Sequence, residues 1–155
     1  MIFLSLLIAY VLGSEVLAAY ATTLLALVIV YYVLYALGSY KLFAKAGKPG
    51  WWAFIPVVNE YQLYKISWTT SAFWMALALS VVGDIISNQE QTGALLAILA
   101  FIVAIAALYV EVKFALNLAK AYGKGTGFAI GLLLLHPIFI MVLGLGDSEY
   151  LGPQA

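Results

Sequence analysis

The residues that could do chemistry in this sequence are the few ionisable and amide side chains set among apolar ones. Glu111 interrupts a long hydrophobic run and has Ala100, Ala104, Ala107 and Ala115 on its helical face. An ionisable group at membrane depth is costly and marks ion or proton pathways. Its purely structural alternative is an ion pair with Lys41, Lys45 or Lys65. Lys113 and Asn117 follow on the same predicted helix, and Asn59 and Glu60 make one side of the segment after Pro56 polar. His136 precedes Pro137, and no second His exists to share a metal. A hydrogen bond to a carbonyl freed by Pro137 is its structural role, and a proton relay its functional one.

A second set is basic. Tyr109, Lys113, Asn117, Lys120 and Lys124 recur at steps of four, four, three and four, which keeps them on one side of a helix. With Lys45, Lys48, Gly123, Gly125 and Thr126 they suggest a site for an anionic lipid headgroup or phosphate, completed by backbone N–H groups where Thr126 caps a helix. Lys124 is followed by Gly125, so this is not a Walker loop. The same lysines could instead snorkel and only fix orientation. Catalytic machinery is not expected: there is no cysteine, no nucleophile–base pair and no metal cluster. Neither a cofactor nor nucleic-acid binding is expected, because all seven basic residues are Lys and form no Arg-bearing stripe.

The elements that must hold these residues are apolar. Of 155 residues, 66% are hydrophobic and 9% charged, and mean hydropathy is +1.07; soluble domains carry about 25% charged residues. About 20 apolar residues cross the hydrocarbon core as a helix. The pattern predicts an all-α integral membrane protein: one domain, a four-transmembrane-helix bundle with spans over 16–38, 67–87, 92–115 and 126–144. A short interfacial or re-entrant helix is predicted over 51–66, and residues 1–13 read as an apolar half-helix or a secretory signal segment. Ser14 would cap the first span and Thr69, Thr70 or Ser71 the second. Gly123, Gly127 and Gly131 form overlapping GxxxG units suited to close helix packing.

All seven Lys fall on one predicted face, and Glu15, Asp84, Glu90, Asp147 and Glu149 on the other. The lysine bias of short loops makes the first face cytoplasmic and puts both termini outside the cell membrane. Tyr31, Tyr32, Tyr35, Tyr40, Trp51, Trp52 and Trp68 would form the aromatic belt at that boundary.

Residues 44–51 (AKAGKPGW) recur as 119–128 (AKAYGKGTGF), either by duplication or because two helices end alike at the same lipid layer. Lys45 to Trp51, Pro56 to Asn59, Gly123 to Gly127 and the terminal stretch Gly144 to Pro153 resemble a family of small, functionally uncharacterised prokaryotic membrane proteins with KAGKPGW, GKGTGFG-like and GxGDxEYxGP motifs. Relatives of that family are in places fused to, or annotated with, type I signal peptidases. The resemblance covers about residues 41 to 155 and implies topology, not activity; this chain has no room for the peptidase's catalytic domain.

The function expected from the sequence is a non-catalytic structural or accessory membrane protein, with anionic lipids as partners and self-association as an alternative. The competing reading is a small proton-coupled transporter or channel using Glu111, or Glu15, since Gly13-Ser14-Glu15-Val16 resembles the first helix of small multidrug exporters.

Overall fold

The computed structural model describes residues 2–89 and 93–154, and the side chains from residue 20 onward within these ranges. Every regular element described is helical: α1 (Ile2–Lys45), a 3₁₀ turn (Gly50–Phe54), α2 (Pro56–Ser67), α3 (Thr70–Ser87), α4 (Ala94–Ala121), α5 (Thr126–Leu134) and α6 (His136–Leu145). The chain divides into two units, residues 1–34 and 35–155. The first consists of α1 residues, whose described side chains, among them Leu24, Leu25, Val28 and Ile29, are exposed and apolar. Such a surface suits lipid rather than water.

Among the described residues, three helical stretches are long and apolar enough to cross a membrane: Tyr20–Lys45, Thr70–Ser87 and Ala94–Ala121. Two expectations are corrected at the first of them. The helix runs without interruption through Gly13-Ser14-Glu15, so Ser14 lies inside it rather than at its start and residues 2–13 form no separate half-helix. Flanking apolar residues of good helix propensity outweigh one glycine, which costs about 1 kcal/mol in a helix. Glu15 and Glu90 have side chains outside the described set. Thr69 does cap α3, its side chain accepting from the Ser71 N–H at 3.3 Å.

The predicted fourth span, 126–144, does not run straight through. Pro137 has no N–H and its ring crowds the carbonyl of residue 133, so the helix breaks at Leu135, where φ is −135° and ψ 52°. Beyond the break α6 folds back on α5. The rings of Phe128 and Phe139 stand 4.9 Å apart, whereas eleven residues of straight helix would separate them by about 16 Å. Gly131 permits this, because a Cβ there would run into the Phe139 ring. Both ends of the α5–α6 pair therefore lie at one end of the second unit. Lys45, closing α1, donates to the Leu143 carbonyl at 2.9 Å and to that of Gly146, while the Leu151 N–H donates to Ala121 at 2.7 Å. The C-terminal tail, with Asp147 and Glu149, sits beside the lysines and not opposite them.

That tail is a strap across helix ends. Tyr150 donates to the Ile66 carbonyl at 2.8 Å, the Gln154 N–H to Ser67 at 2.8 Å, and Ser148 to Leu143 at 2.7 Å. Beneath it Tyr122 donates to Leu42 at 2.8 Å, tying α4 to α1. The core between them is small and well enclosed, with Leu42, Phe43, Leu63, Leu118, Leu132, Ile140 and Leu143 all fully buried.

Candidate functional site

The two copies of the recurring motif end their helices in the same way. Gly47 (φ 66°) and Gly123 (φ 69°) adopt the left-handed conformation that favours glycine. In the first, the Lys48 N–H returns to Phe43 at 2.8 Å and Gly47 to Ala44 at 3.1 Å; in the second, Lys124 returns to Ala119 at 2.8 Å and Gly123 to Lys120 at 2.9 Å. Each is a Schellman motif. Registering the copies on their glycines aligns Lys48 with Lys124, but Lys45 with Ala121, one residue beyond Lys120. The shared feature is the stop signal, and Lys45 and Lys120 leave their helices in different directions.

The proposed headgroup residues accordingly part company. The Lys45 ammonium is engaged within the fold, donating to Leu143, Gly146 and the Ser148 hydroxyl (2.9 Å), where it opposes the partial negative charge at the end of α6. Lys48 and Lys120 are exposed and Lys124 half-buried. Thr126 opens α5, but Gly125 occupies the cap position and no side chain caps it. The Tyr109 stripe also divides: the Lys113 ammonium lies over the Tyr109 ring at 5.9 Å and is exposed, whereas Asn117 is buried. The glycine series does not act as one seam: Gly123 turns the chain, Gly131 admits Phe139, and Gly127 meets nothing within 4 Å.

After each of these stops the chain dips into the unit and returns. The first dip is the 3₁₀ turn and α2, started by Pro56 at the first turn of the helix. Asn59, fully buried, donates to the Ala53 carbonyl at 2.9 Å and fixes this corner; its own Oδ1 is buried without a partner. Glu60, one residue on, is largely buried and accepts from the Tyr35 hydroxyl at 2.6 Å. Tyr35 belongs to no aromatic belt: it is buried, ten residues or about 15 Å inside the end of α1. The second dip is the α5–α6 pair, whose fold-back begins at His136. The His136 ring packs against Tyr35 at 5.6 Å and Phe114 at 6.1 Å.

The two dips meet against α4 in a groove of about 760 Å³, lined by Glu60, Tyr64, Glu111 and His136, with the hydrocarbon of Leu108 and Leu132 among its walls. Glu111 stands ten residues, about 15 Å, inside the end of α4. It is the exposed acid of the groove and Glu60 the half-buried one. His136 and Glu60 share the groove with Glu111, and no lysine lines it. Burial pushes the Glu60 carboxyl above the usual range, while the Tyr35 hydrogen bond pulls it down. The transporter reading of the sequence grouped Glu60 and Glu111 with Asn117 near the cytoplasmic end and left His136 apart, whereas the groove holds His136 and not Asn117. Sequence reasoning missed Tyr64, although its i+4 spacing from Glu60 on α2 was the available signal.

The model of a family of unknown function, DUF5684, matches residues 51–153. The chain belongs to that family. The DUF5684 match contains every residue of the groove and the C-terminal strap as far as Pro153, and begins after Lys45 and Lys48. Among curated proteins and among solved structures nothing matches. For this DUF5684 chain, function therefore rests on the groove itself.

Proposed function

We propose that this protein is a small membrane transporter or channel that loads a cation, protons included, on Glu60 and Glu111. The observation that carries the reading is the meeting of two acids and one imidazole in a single groove, where a re-entrant helix pair is broken about 15 Å from the helix ends. Interrupted helices that bring polar groups to mid-depth are the usual construction of ion and substrate sites in transporters. An apolar bundle serving only as a scaffold has no use for two uncompensated carboxylates, each costly at that depth. By the lysine bias of its loops, the strap and the helix ends it joins face the cytoplasm.

The test is proton movement in proteoliposomes loaded with a pH-sensitive dye and driven by a potassium diffusion potential. Wild-type protein should accelerate the change of internal pH over empty vesicles, and Glu111→Gln and Glu60→Gln should each remove most of that acceleration while eluting as monodisperse protein. Wild-type vesicles no faster than empty ones, with and without added organic cation, would return the protein to an accessory role.

A further inference from the structure

We infer that the cargo of this groove is a lipophilic organic cation, which displaces protons from Glu60 and Glu111. The inference rests on the reading of the groove as the working site and adds the chemistry of what fills it.

Size is the first argument. A groove of about 760 Å³ is far larger than a proton or a bare metal ion requires and falls within the roughly 300–1,000 Å³ of small-molecule sites. Charge is the second: the lining holds two carboxylates against one imidazole, and no lysine. An anion would meet repulsion from both acids, and a neutral molecule would leave them uncompensated. The third argument is hydration. A small hard cation surrenders its water only to about six or more oxygen ligands. Here the lining residues with side-chain oxygens are Glu60, Glu111 and Tyr64, and among the described residues no group of three or more His, Cys, Asp or Glu is placed to hold a metal. Leu108, Leu132, Leu133 and Leu134 supply hydrocarbon instead. A cation whose charge is wrapped in hydrocarbon carries little hydration to lose, and it gains by burying apolar surface on those leucines.

The two acids are also graded along the groove. Glu111 is exposed, whereas Glu60 is half-buried and held by Tyr35. A cation meets Glu111 first and Glu60 second. The titratable groups facing these acids are Tyr35 from α1, Tyr64 from α2 and His136 from α6. No fixed positive charge among them neutralises the pair, so protons and the organic cation compete directly. Binding strengthens as pH rises and the carboxyls ionise, and each cation bound at lower pH releases protons.

The probe is tetraphenylphosphonium, measured by equilibrium dialysis against the full chain in detergent, beside its isosteric anion tetraphenylborate and the compact cation tetramethylammonium. Tetraphenylphosphonium should bind saturably and more tightly with rising pH, releasing protons. Tetraphenylborate should show only the unsaturable uptake of empty micelles, and tetramethylammonium should bind at least about tenfold more weakly. Glu60→Gln and Glu111→Gln should each weaken tetraphenylphosphonium by about tenfold, which is about 1.4 kcal/mol. Asp84→Asn, in the separate groove between α3 and α4, should leave it unchanged. The wild-type pH dependence needs no variant and decides the matter even if a Gln variant fails to fold. Equal binding of cation and anion, or no pH dependence, overturns the inference as mere hydrophobic partitioning. Proton flux without tetraphenylphosphonium binding overturns the cargo and leaves the transport reading standing. Saturable, pH-dependent binding without any flux supports the ligand class and removes transport.

Discussion

At the residue scale, the Tyr35–Glu60 hydrogen bond is the contact most open to test. The carboxyl is largely buried and its neutral form is favoured by that burial, while the phenol O–H favours the ionised form. Its folded pKa lies above the ordinary value, so the folded state holds the proton more tightly than the unfolded chain. The stability this gives is fully present below the unfolded pKa and is lost as pH rises through the folded one. Tyr35→Phe removes the donor that eases the ionised form, and the variant should fall further behind wild type as the pH increases. Melting in detergent between about pH 5 and about pH 8 should show a gap that widens to roughly 1.5–3 kcal/mol, the scale of a hydrogen bond to a charged group. A gap constant with pH would mean that Tyr35 contributes packing only. Lys45 makes a related point. A lysine beside a predicted membrane boundary reads as an anchor in sequence, yet its three bonds are all to the C-terminal part of the chain.

At the scale of elements, one close crossing governs how the end of α1 meets α6. A Cβ on Gly38 would stand 2.9 Å from the Met141 Cα, and one on Gly144 would collide with the Gly38 carbonyl. Both obstacles are backbone, which cannot swing aside as a side chain can. Gly144→Ala and Gly38→Ala should each cost about 1–3 kcal/mol, the range for overpacked cores, and lower the detergent melting temperature. Gly127→Ala, with nothing within 4 Å of its Cβ, should be neutral or slightly stabilising. Equal melting of all three variants would show that the crossing is loose. The glycine spacing 123, 127 and 131 suggested a packing seam, but the seam that matters pairs two glycines more than a hundred residues apart.

At the scale of the whole molecule, the folded-back α5–α6 pair changes which end of the protein the tail occupies. Four straight spans would carry the C-terminus away from the lysines; three spans and a re-entrant pair return it to them. Single cysteines at Glu149 and Lys48, both exposed, should therefore react alike with an impermeant thiol reagent applied to intact cells, and a cysteine at Ser87 should react oppositely. With the lysine end in the cytoplasm, only Ser87→Cys labels. Labelling of Glu149→Cys together with Ser87→Cys would restore the fourth span.

By itself the sequence determined the helical membrane character and a cap for α3 among Thr69, Thr70 and Ser71. Each depends on local composition or on the geometry of one or two residues. It also nominated Glu60, Glu111 and His136, because charge in an apolar run is conspicuous without any knowledge of neighbours. Only the tertiary structure decided that 126–144 turns back, since a proline fixes where a helix breaks but not the angle at which the next one leaves; here Gly131 and the Phe139 ring set it. Tertiary packing likewise moved Tyr35 from a boundary belt to a carboxylate partner and Lys45 from the surface to a helix end. It also joined three residues, spread over more than seventy positions, in one groove. Those placements depend on contacts distant in the chain, which no local pattern of residue types encodes.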